Sequence, residues 1–185
     1  MTQKENPWKT LRKKQVYENP WIKLEHHEVL NPSDKPGVYG TVSFQNLAVG
    51  IIPIDTDNNT FLVGQFRFPL NAYSWEIPEG GSKLKSDPLV AAKRELKEET
   101  GIIATIWNQL QTIHTSNSVT DEFGIIYTAE GLSYFEPEPD ADEELEVKRI
   151  SLKEVLHMVK AGKITDSLSI SGILRLHCDR PELFT

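Results

Sequence analysis

The chain has 185 residues and a formal net charge of −7, from 27 acidic and 20 basic side chains. Hydrophobic residues at 38% and charged residues at 25% exclude disorder of the whole chain, and 11 Gly with 11 Pro exclude a collagen-like repeat. A single cysteine, Cys178, excludes an intramolecular disulfide and a cysteine-rich zinc site.

The opening MTQKENPWKTLRKKQ lacks the apolar run of a signal peptide, and no apolar stretch reaches about 18 residues. The expectation is a cytoplasmic protein with no membrane partner. The acidic balance argues against a duplex nucleic-acid partner. A negative protein that handles a negative substrate needs metal ions or a few placed arginines.

Residues 1–15 are polar and basic, with Trp8 and Leu11 as possible anchors. Val16–Tyr17 and Trp21–Leu30 read as strands separated by Pro20, and Val38–Phe44 follows the turn cluster Asn31–Gly37. A unit this small is marginal alone. Residues 1–45 are therefore expected to pack on the main domain, residues 46–185, or on a second subunit. Leu47–Ile54 and Phe61–Phe68 read as paired strands, with Asp55–Asn59 as the hairpin connection. Tyr73–Ile77 is a short strand, and Glu79–Lys83 reads as a glycine loop.

The composition then predicts a helix over 88–100, capped by Asp87, opened by Pro88 and ended by Gly101. Strands follow near Ile102–Ile113 and Phe123–Ala129, and an acidic loop runs over Glu136–Glu144. Glu146–Ile150 is a strand, and Ser151 caps a helix over 152–160 with Glu154 in the capping-box position. Gly162 ends that helix, and a last one spans 166–178, where Cys178 reads as a small hydrophobe. The order predicts an α/β protein with one curved mixed sheet sandwiched by helices, plus a small N-terminal β subdomain.

The helix at 88–100 carries the chemistry. At 100° per residue, Glu95, Glu98 and Glu99 share an arc of about 100°, with Leu89, Ala92 and Leu96 on the adjoining stripe. Arg94 sits four residues before Glu98 and can brace it. Clustered carboxylates repel, and hard divalent ions with oxygen ligands, Mg²⁺ or Mn²⁺, relieve that repulsion. A solvated acidic face is the plain alternative, which the preceding glycine loop disfavours. The five histidines show no metal-ligand spacing.

Gly80, Arg94, Glu95, Leu96, Glu98, Glu99, Gly101 and Ile102 stand at the spacing of the Nudix box, and the segment 80–102 resembles it. One position departs, with Ser86 where the pattern has Glu. The resemblance implies a Nudix fold. It also implies metal binding by Glu95, Glu98, Glu99 and the Gly80 carbonyl, with Arg94 orienting a helix glutamate. The implied reaction is hydrolysis of a nucleoside diphosphate linked to another moiety, with Glu98 and Arg94 in the catalytic set.

The runs Gly64-Gln65-Phe66-Arg67 and Trp75-Glu76-Ile77-Pro78-Glu79-Gly80 resemble the ADP-ribose pyrophosphatase branch. That branch implies ADP-ribose cleaved to AMP and ribose 5-phosphate, with GDP-mannose or another nucleotide sugar as the alternative. It implies a homodimer through residues 1–45. Arg67 is a diphosphate contact or the partner of Glu76 in an ion pair, and Glu76 faces the metal or the terminal ribose. The branch also implies a glutamate in the acidic loop, Glu143 with Glu144 second, that contacts metal-bound water or acts as the base; a solvated loop is the plain alternative. Tyr17, Trp21 and Tyr39 are candidates to stack on the nucleobase, and each also reads as an interface residue. The loop over 114–122 lacks the proline that often accompanies ADP-ribose selectivity. The reading from a different class is a non-catalytic domain that senses a nucleotide sugar.

Overall fold

The computed structural model describes residues 5–138 and 144–185. They divide into two compact units. One runs up to Asn46 and takes in Ser116–Glu122; the other comprises Leu47–Thr115 and Phe123–Thr185.

The first unit is an antiparallel sheet of β1 (Lys9–Glu18), β2 (Ile22–Leu30) and β3 (Pro36–Phe44). β1 starts well before the predicted Val16, because Lys9–Gln15 pairs with β2 although its sequence has no alternation to announce a strand. All ten β1 residues are exposed. Among the described residues of this unit Val29 is the one buried hydrophobic side chain, and Glu25 on the same strand is buried too. Lys13 and Lys23 approach the Glu25 carboxylate at 2.9 and 3.0 Å. The segment 116–122 docks on β3. The Val42 amide donates to the Val119 carbonyl, the Tyr39 hydroxyl to the Ser118 carbonyl at 2.6 Å, and the Phe44 amide to Asp121 Oδ1.

The second unit corrects the expected single curved sheet. It holds two separate open sheets. One has the order β10-β5-β6, from Glu146–Ser151, Asn59–Arg67 and Ala72–Glu76. The other has the order β7-β4-β9-β8, from Glu79–Lys83, Asn46–Pro53, Phe123–Tyr134 and Ile102–His114. The predicted hairpin between β4 and β5 is absent. β4 runs parallel to β9, and the Ile54 amide donates to the Ala129 carbonyl, while β5 pairs antiparallel with β6 and β10. The reason lies in β4 itself, which is apolar on both faces. Val49 and Ile51 enter one apolar cluster and Ile52 the other. A strand that must be covered on both sides takes the interior of a layered sheet, and the Asp55–Asn59 turn then leads the chain out of it. The predicted glycine loop at 79–83 is likewise a strand, β7.

Helices cover both faces. α1 (Pro88–Thr100) contributes Ala91, Ala92 and Leu96 to the cluster with Val49, Ile51 and Ile125. α2 (Leu152–Lys160) and α3 (Ser167–Asp179) contribute Val155, Leu168, Ile173 and Leu176 to the cluster with Ile52, Leu62 and Ile126. Gly172 lets α3 approach closely, since a Cβ there would stand 3.1 Å from both Ile52 and Ile126. Cys178, expected as a small hydrophobe, is exposed on α3.

Candidate active site

Local sequence sets α1 in place. The Asp87 side chain accepts from the Leu89 amide at 2.9 Å, Pro88 occupies the first turn, and Gly101 at φ +68° closes the helix in the left-handed region. The buried stripe of Leu96 and Ala92 then turns Glu95, Glu98 and Glu99 toward β7 and the chain before it. Glu99 is only 3% exposed, and its Oε2 accepts from the Glu79 amide at 3.1 Å. Glu95 Oε1 accepts from the Gly81 amide at 3.1 Å. A Cβ on residue 80 would displace the Glu95 carboxylate, so glycine there allows the close approach of backbone and acid.

Arg94 binds the array together. Its two terminal nitrogens reach Glu95 Oε1 at 2.5 Å and Glu98 Oε2 at 2.6 Å, and one also donates to the Gly81 carbonyl. Burial pushes the Glu95 carboxyl above its usual range. Arg94 opposes that shift and Glu98 adds to it.

A second group stands on the other side of Glu79. The Arg67 Nε donates to both Glu76 oxygens, at 3.1 and 3.0 Å. Its terminal nitrogen reaches Glu76 Oε2 at 2.5 Å and Glu79 Oε1 at 2.6 Å. Burial works against the guanidinium charge, but the Glu76 hydrogen bonds and the charges of Glu79, Glu76 and Asp166 outweigh it and hold Arg67 firmly protonated. Glu79 Oε2 is buried with no hydrogen-bond partner. Burial drives the Glu79 carboxyl well above the ordinary range. Asp166, Glu76 and Glu99 push the same way, and Arg67 opposes them.

The structure thus brings Gly80, Arg94, Glu95, Glu98 and Glu99 together, and Arg67 with Glu76. The sequence reading assigned no role to Glu79, the residue that links these two groups. Its signal was present, a carboxylate directly before Gly80, but masked by the glycine-loop reading. Glu144 is exposed just ahead of β10. Glu143 lies outside the described residues. Tyr17, Trp21 and Tyr39 belong to the first unit. Tyr17 and Trp21 are 53% and 65% exposed, and Tyr39 packs edge-to-face on Trp8 at 5.5 Å.

Donor chemistry fits a hard divalent ion. Glu95, Glu98, Glu99 and the Gly80 carbonyl offer only oxygen, and the glycine cradle leaves the Glu95 carboxylate against the backbone. Among the described residues, no three acids, histidines or cysteines already converge as an ion-binding group. Arg94 is instead the cation seated between Glu95 and Glu98. Among the same residues, no helix is long and apolar enough to cross a membrane.

Comparison with known proteins identifies the family. The NUDIX domain family matches residues 45–168, and a family described as the nucleoside diphosphate sugar hydrolase N-terminal domain matches residues 8–42. The chain belongs to the Nudix family and is a hydrolase related to the ADP-ribose pyrophosphatase-like enzymes. It is 32% identical over 167 residues to the methanol dehydrogenase activator of Bacillus methanolicus, covering 89% of this chain and 90% of the relative. The ADP-ribose pyrophosphatase of Bacillus subtilis (strain 168) gives the same identity and coverage. A solved structure described as an ADP compounds hydrolase has a TM-score of 0.85 over 98% of both chains. At 20% identity that likeness shows the shared fold.

Proposed function

We propose that the protein hydrolyses the diphosphate linkage of nucleoside diphosphate sugars, with ADP-ribose, cleaved to AMP and ribose 5-phosphate, as the first substrate. The observation that carries this reading is the array of Glu95 and Glu98, tied by Arg94, with Glu99 held by the Glu79 amide beside the Gly80 cradle. The nucleotide-sugar class is supported by the N-terminal family match and by the relatives named as ADP-ribose pyrophosphatases. GDP-mannose or another nucleotide sugar is the second reading. It is favoured by the loop over 114–122, which has no proline.

Glu95, Glu98, Glu99 and the Gly80 carbonyl would hold Mg²⁺, or Mn²⁺ in its place. When bound, the ion neutralises diphosphate charge, polarises a phosphorus–oxygen bond and makes water more acidic. Arg94 fixes the rotamers of Glu95 and Glu98 through its two short bonds and keeps their oxygens oriented. Glu144, exposed just ahead of β10, or Glu143 takes the proton of the attacking water. Glu76 holds Arg67 in place, and the guanidinium positions the substrate beside the array. Trp21, Tyr17 and Tyr39 offer rings for the nucleobase.

The first unit has too little buried apolar surface for three strands to stand alone. This supports a homodimer in which a second copy covers it.

The deciding experiment is a Mg²⁺-dependent screen of ADP-ribose, GDP-mannose, ADP-glucose, UDP-glucose, NADH, diadenosine polyphosphates and nucleoside triphosphates, with products identified by mass. The expected result is a nucleoside monophosphate plus a sugar phosphate. Turnover confined to triphosphates or diadenosine polyphosphates would overturn the assignment.

A further inference from the structure

The chain crosses from β6 to β7 through Ile77 and Pro78. β6 belongs to one sheet of the second unit and β7 to the other. The crossing carries Glu76, the partner of Arg67, at its start and the Gly80 cradle beyond its end, so its path sets how far one group stands from the other. We propose that Ser169, on α3, is a positioning residue: its hydroxyl holds the Ile77 amide and thereby fixes the spacing between Arg67 and the α1 carboxylates. The proposal rests on the nucleotide-sugar reading above and names a residue that reading does not use.

The backbone hydrogen bonds single out Ser169. The last pair of β5 with β6 joins Val63 to Glu76, so the ladder ends before Ile77. Pro78 has no amide to donate. Three backbone groups along the crossing then find partners on three different elements. The Ile77 amide donates to Ser169 Oγ at 2.9 Å, the Pro78 carbonyl accepts from the Ile51 amide at 2.8 Å, and the Glu79 amide donates to Glu99 Oε2 at 3.1 Å. The tether to β4 is backbone, and the tether to α1 belongs to the carboxylate array. The tether to α3 is a side chain outside that array.

Burial makes this tether strict. Ser169 and Ile77 are both 0% exposed, so bulk water does not reach the Ile77 amide in place of the hydroxyl. The cap of α3 aims the hydroxyl. Asp166 Oδ2 accepts from the Ser169 amide at 2.7 Å and the Asp166 carbonyl from the Ile170 amide at 3.0 Å, which fixes the first turn of the helix. A Cβ on Gly50 would stand 2.9 Å from Ile77 Cδ1 and 3.2 Å from Leu168 Cδ2, so β4, the crossing and that first turn pack closely.

A displacement of Ile77 is felt at both ends. Glu76, one residue before it, accepts from Nε and a terminal nitrogen of Arg67. Gly80, three residues after it, lies against the Glu95 carboxylate. A shift of the crossing therefore alters the gap that a diphosphate must fit between guanidinium and carboxylates, and a misplacement of about 1 Å costs on the order of 10²-fold in rate. Ile173, buried on the same helix, has no polar group to offer the crossing.

The test compares Ser169→Ala and Ser169→Cys with Ile173→Val. The first two remove or weaken the acceptor at nearly constant volume, and the third loosens the same helix without removing a hydrogen bond. Each variant is read by kcat and KM for the best nucleotide sugar, by a denaturant melt, and by nuclear magnetic resonance of the Ile77 amide and the Arg67 Nε–H in the protein without substrate. Ser169→Ala should lower kcat/KM about 10- to 100-fold, shift the Arg67 Nε–H resonance and speed exchange of the Ile77 amide about tenfold. Ser169→Cys, with a weak acceptor in place of a strong one, should fall between Ser169→Ala and wild type, and it carries the comparison where Ser169→Ala fails to fold. Ile173→Val should lower stability, keep kcat/KM within about twofold and leave the Arg67 resonance in place. An unchanged kcat/KM in both Ser169 variants, an unmoved Arg67 resonance, or an equal loss of kcat/KM in Ile173→Val would overturn the proposal and leave Ser169 as packing alone. If wild type hydrolyses no nucleotide sugar, the functional reading fails, and the Ile77 and Arg67 signals still report separately on whether Ser169 sets the crossing.

Discussion

The two units of this protein solve the problem of covering a sheet in opposite ways. In the second unit, Val49 and Ile51 of β4 point to α1 and Ile52 to α3, so each face of the sheet has its own apolar cluster. In the first unit three strands carry one buried hydrophobic side chain among the described residues, Val29. Trp8, Leu11, Val16, Tyr17, Trp21 and Val38 remain exposed. The second unit can therefore hold its carboxylates in place, because α1 is anchored on its own apolar cluster. The first unit offers rings and strand edges and is suited to contacts that complete it.

The comparison breaks most sharply at the carboxylates. Glu99→Gln should lower kcat/KM for the best nucleotide sugar on the order of 10³-fold, as loss of an electrostatic stabiliser does. Steady-state kinetics at saturating Mg²⁺ checks this, and a loss below tenfold would detach α1 from the chemistry. Leu96→Ala, beneath the same helix, should cost about 2–5 kcal/mol in a denaturant melt and lower activity only as far as the protein unfolds. In the first unit Trp21→Ala should raise KM about tenfold with kcat nearly unchanged, as loss of one base stack does. An unchanged KM would make Trp21 an interface residue only.

The smallest expected effect is a pH dependence. Glu95 has its carboxyl raised by burial above the ordinary 4.5, so the folded protein holds that proton more tightly than the unfolded chain. Stability from this group is then greatest in acid and falls as pH rises through the window from 4.5 to the raised value. Without divalent ions, Glu95→Gln should be slightly more stable than wild type at pH 7, with the gap narrowing as pH falls through that window. Thermal melts in chelator across the range would show it. A variant less stable at every pH would mean that the Arg94 bond outweighs the burial cost.

Much of the site was legible because its signals are local. Asp87, Pro88 and Gly101 mark the ends of α1 within a turn of the helix, and the helical period alone puts Glu95, Glu98, Glu99 and Arg94 within reach of one another. β1 was partly hidden, since all ten of its positions are exposed and a fully exposed strand has no period of two to read. The pairing of β4 with β5 was misread for the opposite reason. A polar turn between two apolar runs is a true hairpin signal, yet it is overridden when both faces of a strand need cover. The ion pair of Arg67 with Glu76 was foreseen as one of two readings. Its extension to Glu79 was not, because residues 79–83 read as a loop.

The amino-acid sequence by itself determined the helices, their caps, the oxygen-rich array and the family, because each depends on residues within a few turns of one another. Tertiary structure alone decided that the sheet divides in two, that residues 116–122 join the first unit, and that Glu79 links the α1 array to the pair of Arg67 and Glu76. Those outcomes depend on which distant surfaces bury each other. Burial is non-directional, and it is settled only when the whole chain has chosen its partners.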